Sequence, residues 1–170
     1  SRGVMDGCAQ LMDRKPDFLA STKQVLHGTT LVINAVLERK GAKTALITTE
    51  GFRDVLEIGT ERRYDLYDLQ QQYPEPLVPR YLRRGVTERL RSDGATLVPL
   101  DKAEVDRIAA DFASDGVEAV AVCLLHAYQN PVHELAIRER LTKMLPDASV
   151  SLSSEVLPEI NEYARTSTTV

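Results

Sequence analysis

Apolar and polar positions along this chain follow two rhythms, and the changes between them mark out its elements. Val4, Cys8, Leu11 and Met12 share one helical face, which predicts a helix from Val4 to Met12, closed before Pro16. Lys23 to His27 is a short strand candidate. Leu31 to Arg39 follows as a helix whose last turn sets Arg39 and Lys40 at the negative end of its dipole, before a Gly41 stop. Lys43 to Thr48 reads as a strand and Phe52 to Ile58 as a short helix. Strand, helix, strand in this order predicts a parallel pair joined by a right-handed crossover.

From Gly59 to Pro79 the rhythm decays, with Tyr64, Tyr67 and Tyr73 set among glutamines and prolines. Residues 59–80 are expected to form an irregular excursion, either a functional loop or a plain surface connection. Leu82, Val86 and Leu90 then fall on one face of a strand, Asp93-Gly94 is a hairpin turn, and Ala95 to Leu100 is the returning strand. Asp101 with Glu104 resembles a capping pair for a helix burying Val105, Ile108, Ala109 and Phe112, ended by Gly116. Val117 to Leu125 is almost wholly apolar, the mark of a strand covered on both faces. Asn130-Pro131 supplies a cap and a first-turn proline for a helix burying Ile137, Leu141, Met144 and Leu145, broken at Pro146. Ala148, Val150 and Leu152 alternate with Ser149, Ser151 and Ser153 as a half-exposed strand, and Glu159 to Arg165 starts a last helix. The fold class that follows is α/β, with a mixed, mostly parallel sheet flanked by helices and one β-hairpin, in a single domain over 1–170.

Composition narrows the class. A length of 170 residues allows one sizeable core, and 43% hydrophobic with 27% charged residues excludes wholesale disorder. The net charge of −4 gives no basic field to draw in nucleic acid or an acidic membrane surface. No apolar run is long enough to cross a bilayer, and the first residues have no apolar core of a signal peptide. Cys8 and Cys123 are too few for a disulfide framework. A cytoplasmic protein without nucleic-acid or membrane partners is expected.

Candidate chemistry gathers at two strand-to-helix turns. In His27-Gly28-Thr29-Thr30, backbone amides and two hydroxyls can meet an anionic group, with Asn34 one helical turn further on. The structural alternative is that Thr30 caps the helix while Asn34 satisfies a loop carbonyl. In Gly51-Phe52-Arg53-Asp54, Arg53 suits paired contact with a carboxylate or phosphate, and Asp54 suits either orientation of a ligand or the helix dipole. Both turns are expected on the carboxyl edge of a parallel sheet, where ligands bind. His126 and His133-Glu134 offer metal-ligand types in one loop, but at no metal-motif spacing, so a structural role is favoured. Arg80, Arg83, Arg84, Arg89 and Arg91, interrupted by Glu88 and Asp93, read as a solvated strand face or an interface. Arg165-Thr166-Ser167-Thr168-Thr169 reads as a hinge, a site element or a frayed end.

The first turn and its flanks are specific beyond this chemistry. His27-Gly28-Thr29-Thr30, Asn34-Ala35, Glu38-Arg39-Lys40-Gly41-Ala42 and Thr48-Thr49-Glu50-Gly51-Phe52-Arg53-Asp54-Val55-Leu56 resemble the N-terminal region of the hydantoinase A, 5-oxoprolinase and acetone carboxylase family. The resemblance continues through Leu77-Val78-Pro79-Arg80, Glu88-Arg89-Leu90, Val120 to His126, Asn130-Pro131, His133-Glu134, Leu152 to Ile160 and Glu162 to Val170. It implies part of an actin-like ATPase domain within an ATP-dependent enzyme that uses Mg²⁺ and hydrolyses a cyclic amide such as a hydantoin or 5-oxoproline. ATP-dependent carboxylation of a ketone, or a non-catalytic scaffold, are the alternatives it leaves open. It also implies catalytic roles for Thr29, Thr30 and Asn34, substrate or phosphate contacts for Gly28, Arg53 and Asp54, and no metal ligand. The family's Asp-x-Gly-Gly-Thr phosphate loop is expected before residue 1 and a further domain after residue 170. The segment alone is therefore expected to be inactive, its partners being a cyclic amide, the missing domains of its own chain, and a second subunit or another copy.

Overall fold

The computed structural model describes residues 2–24, 30–60, 65, 67, 68, 70 and 73–170. By its contacts the chain divides into two compact units, Ser1–Glu38 and Arg39–Val170. The α/β architecture belongs to the second.

The first unit holds α1 (Arg2–Arg14), α2 (Phe18–Ser21) and α3 (Leu31–Leu37). The first helix runs two residues past the expected span at each end and stops before Pro16, whose missing N–H cannot continue it. Lys23 and Gln24 are not in a strand, and Val25 to His27 lie outside the described residues. Helix α3 ends at Leu37, earlier than expected. The turn is made not at Gly41 but at Arg39, which adopts a left-handed φ of 52°. The guanidinium of Arg39 donates to the carbonyls of Glu75 and Pro76 at 2.5 and 3.3 Å, which holds the turn in place.

The second unit contains β1 (Thr44–Thr49), α4 (Val55–Ile58), a 3-10 turn (Arg80–Leu82), β2 (Arg83–Val86), β3 (Arg89–Leu90) and β4 (Thr96–Val98). It continues with α5 (Lys102–Ser114), β5 (Ala119–Cys123), α6 (Val132–Met144), β6 (Ser149–Leu152), α7 (Ser153–Val156) and α8 (Glu162–Thr169). Four strands form one sheet in the order β2-β1-β5-β6, every pair parallel, while β3 and β4 make a separate antiparallel pair. The α/β class, the parallel sheet and the hairpin are as the sequence predicts.

The single strand expected over Leu82, Val86 and Leu90 is in fact two. All three side chains are buried, but Arg83–Val86 pairs with β1, and only Arg89–Leu90 enters the hairpin. The break falls at Thr87, whose N–H donates to the Glu104 carboxylate at 2.6 Å and whose carbonyl accepts from the Asp101 N–H at 3.0 Å. Asp101 caps α5 as expected, accepting from the N–H groups of Ala103 and Glu104 at 2.9 and 3.1 Å. Glu104 does not close the reciprocal half of a capping box; it fastens β2 to the helix start instead.

Helix α5 buries Val105, Ile108, Ala109 and Phe112 and ends at Gly116, with a φ of 66°. There Gly116 N–H donates to Ala113 and Val117 N–H to Phe112, the paired bonds of a Schellman stop. Strand β5 is flanked on both sides, and Val120, Val122, Leu124, Ile137 and Leu141 join one core. Pro131, expected in the first turn, is itself the N-cap of α6, and Asn130 one residue earlier accepts from the Val132 N–H at 3.1 Å and donates to the Gly94 carbonyl at 2.9 Å, tying the helix start to the hairpin. Two expectations need correction. Met144 is exposed, because Leu145 rather than Met144 completes the buried face as the helix closes. Ser153 is fully buried, because the chain turns into α7 there and its hydroxyl enters the polar network described next.

Candidate functional site

The sheet order reverses direction between β1 and β5: the chain steps from β1 to β2 on one side, then returns to place β5 on the other. The carboxyl ends of these two strands therefore part at a topological switch point, the place where open parallel sheets bind ligands. Thr48 and Cys123 are register partners at that edge. Thr48 is 2% exposed, and its hydroxyl has no hydrogen-bond partner among the described residues. Phe52, Val55, Leu125, Glu162, Arg165 and Thr166 join Thr48 and Cys123 around a cavity of about 10 Å³. Burial, followed by the negative charge of Glu134, pushes the Cys123 thiol up to about 12, so it is neutral at pH 7 and supplies no thiolate.

Buried charge surrounds this edge. Glu134 is fully buried and accepts from Leu124 N–H at 3.0 Å, the Ser153 hydroxyl at 2.6 Å and Ser154 N–H at 2.9 Å. Arg165 donates to Ser153 Oγ at 3.2 Å, to the Glu159 carbonyl at 2.6 Å and to the Leu124 carbonyl at 3.0 Å, with its guanidinium 5.6 Å from the Tyr128 ring centroid. These bonds join the ends of β5 and β6 to α6 and α8. Glu134→Ala would strip three donors of their acceptor at once. It should lower stability by about 3–5 kcal/mol, the cost of breaking a buried charged network from one side. Urea denaturation checks this, and a midpoint equal to wild type would contradict the structural role.

A second buried group lies beside it. Glu88 accepts the Thr49 hydroxyl proton and meets His133 Nδ1 at 2.7 Å, while Thr49 Oγ1 accepts from Leu125 N–H at 3.0 Å. His133 is thus held structurally, as favoured. His126 is different: its φ is 57°, and its buried Nδ1 has no partner among the described residues. No group of three potential metal ligands forms among the described residues.

The sequence-predicted site residues are placed as follows. Gly28 and Thr29 lie outside the described residues. Thr30, in the first unit, is the residue before α3 and is exposed; its side chain makes no capping bond. Asn34 is exposed on α3. Arg53 and Asp54, in the second unit, follow β1 at its carboxyl end. Asp54 takes a two-pronged contact from Arg80, at 2.9 and 3.0 Å, and the bonded guanidinium holds its carboxyl below the usual carboxylate range. Arg53 is exposed, and its carbonyl lies 3.5 Å from Arg83 Nη1.

Arg83 corrects the reading of the arginine cluster as a solvated face. It is 1% exposed, donates twice to the Val78 carbonyl at 2.9 and 2.7 Å and pairs with Glu57; burial lowers its pKa. The sequence singles out His133-Glu134 as metal-ligand types with a structural role favoured and the Arg165 run as a hinge, a site element or a frayed end, but not Glu134 and Arg165 as the centre of one network. Arg80, Arg83 and Arg165 are taken by Asp54, Glu57, Ser153 and main-chain carbonyls, which leaves Arg53 as the exposed arginine after β1. The described residues therefore do not by themselves fit a nucleotide and its Mg²⁺. No described helix is long and apolar enough to cross a membrane.

A family model described as the hydantoinase/oxoprolinase N-terminal region matches residues 1–145. Caprolactamase subunit alpha of Pseudomonas jessenii is 38% identical over 173 residues, covering 98% of this chain and 25% of that protein. The crystal structure of ATP-dependent caprolactamase from that organism superposes with a TM-score of 0.88 at 36% identity, over 98% of this chain and 25% of that one. A nucleotide-free acetone carboxylase structure gives a TM-score of 0.74 at 31% identity, over 81% and 21%. 5-Oxoprolinase 1 of Arabidopsis thaliana is 34% identical over 163 residues, 81% of this chain and 12% of that protein. The chain spans about a quarter or less of each of these relatives.

Proposed function

We propose, because the chain belongs to the hydantoinase/oxoprolinase family, that it is a segment of an ATP-dependent enzyme that opens a cyclic amide. The likeness to caprolactamase carries this reading, with a TM-score of 0.88 over nearly the whole chain against 0.74 for acetone carboxylase. Caprolactam is itself a cyclic amide. The net reaction consumes the lactam, ATP and water and yields the ring-opened amino acid, ADP and phosphate, with Mg²⁺ expected to accompany the nucleotide. The described residues do not complete a nucleotide site by themselves, so further phosphate contacts would have to join any that Arg53 makes.

The chain's own part lies in donors and orientation. Thr29, Thr30 and Asn34 would place neutral donors where charge develops on an oxygen, and Gly28 would let the backbone approach it. The free hydroxyl of Thr30, unused as a cap, supports this role. Arg53 would meet a carboxylate or phosphate, while Asp54 would act through its contact with Arg80. The second reading, carboxylation of a ketone, is supported by the acetone carboxylase likeness.

Product analysis decides between them. The full-length protein should convert hydantoin, 5-oxoproline or caprolactam into a product heavier by one water, in the presence of ATP and Mg²⁺. A carboxylated product from acetone or acetophenone with bicarbonate, and none from any lactam, would overturn the hydrolase reading.

A further inference from the structure

We propose that Arg89, braced at the carboxyl end of β1, is a binding residue for an oxyanion, a phosphate or a carboxylate. The source of that anion rests on the proposed function; the contact itself rests on how Arg89 is held. Its guanidinium lies over the Phe52 ring, 5.2 Å from the centroid, and the residue is half-buried. Among the described residues it makes no hydrogen bond and no ion pair. Its neighbours differ. Arg80, Arg83 and Arg165 are bonded to acids, Ser153 or main-chain carbonyls, and Arg53 is exposed. Arg89 is held in place with its N–H groups unused.

Both ends of the brace are tied to Thr49, the last residue of β1. Phe52 N–H donates to the Thr49 carbonyl at 3.0 Å, which fixes the start of the turn, and Glu88, the residue before Arg89, accepts the Thr49 hydroxyl proton. The other Glu88 oxygen meets His133, so this carboxylate does not claim Arg89. The pairing of β3 with β4 shifts register between Arg89 and Leu90, an irregularity that twists a strand and re-aims its side chains. A guanidinium stacked on its face leaves the edge of N–H groups free, the fork that takes two oxygens of a phosphate or carboxylate. The stack has already ordered this long side chain, so less freedom is lost when the anion arrives. Arg53, exposed one residue past Phe52, puts a second cation on the same turn.

Phenylglyoxal modification of the full-length protein, read on the Arg89 and Arg107 peptides by mass spectrometry, tests the contact. Arg107 is exposed and has no bonded partner among the described residues, so it is the internal control. Inorganic phosphate or acetate, at constant ionic strength, should slow modification of Arg89 severalfold and saturably without slowing that of Arg107. Phe52→Leu removes the stack and keeps the apolar bulk, so it should raise the anion concentration for half-protection severalfold. Arg89→Lys keeps the charge and loses the fork, and it carries the test if Phe52→Leu does not fold. It should raise KM severalfold for ATP if the occupant is a phosphate, or for 5-oxoproline if it is the substrate's carboxylate. The KM for caprolactam, which has no carboxylate, should not change. The proposal is overturned if neither anion protects, if Arg107 is protected equally, if protection is unchanged in folded Phe52→Leu, or if Arg89→Lys raises neither KM. Protection without lactam turnover would sink the proposed function and leave the contact standing; turnover without protection would sink the contact alone.

Discussion

Val122→Asp is expected to leave the second unit unfolded at room temperature. Val122 has no exposed surface and sits in β5, paired with β1 on one side and β6 on the other. The substitution removes an apolar side chain from the core and puts a carboxylate there between the register partners Ile47 and Leu152. The lost packing costs about 1–3 kcal/mol and an unpaired buried charge about 3–5 kcal/mol, together comparable to the whole stability of a domain this size. Val122→Ala provides the control, because it keeps the site apolar and should cost only the packing share. Circular dichroism and urea titration of the two variants make the comparison. A soluble Val122→Asp protein with the wild-type melting temperature would show that the strand is not where the structure places it.

The double change Thr29→Val and Thr30→Val in the full-length enzyme should depress turnover about 10²–10³-fold while leaving the fold intact, by analogy with the loss of a single oxyanion donor. The stability half of this expectation rests on Thr30, which is exposed and makes no capping bond. Its hydroxyl loss therefore costs less than the roughly 0.5–2 kcal/mol of a working cap. Valine keeps the branched shape and removes only the hydroxyls. Steady-state rates per folded molecule, with the melting temperature measured alongside, decide the matter. Unchanged turnover would make the turn a structural connection and remove Thr29 and Thr30 from the site.

Much of the fold was legible where one local pattern leaves no competitor. The run from Val117 to Leu125 can satisfy its apolar side chains only inside, and β5 is central. Asp101, Gly116 and Asn130 each act through bonds to near neighbours, so local chemistry sufficed for the helix ends. Leu82, Val86 and Leu90 show the limit. Their spacing is the same whether they belong to one strand or two, and the choice falls to Glu104, which reaches Thr87 across sequence. The carboxyl-edge network was hidden for the same reason. Glu88, Glu134, Ser153 and Arg165 become neighbours only after the parallel strands align, and a buried charge is recognisable only once its partners are in place. The His27-Gly28-Thr29-Thr30 motif, by contrast, marks the family from residue type and flanks, since the resemblance needs no tertiary contact.

The central claim, ATP-dependent opening of a cyclic amide, is tested most directly by the stoichiometry of ADP to ring-opened product. The full-length protein is supplied with ATP, Mg²⁺ and 5-oxoproline or caprolactam, and both products are quantified together. The account predicts equal amounts of ADP and amino acid, with little ADP formed when the lactam is omitted. Ring opening without ATP, or ADP formation driven by a ketone and bicarbonate but by no lactam, would contradict it.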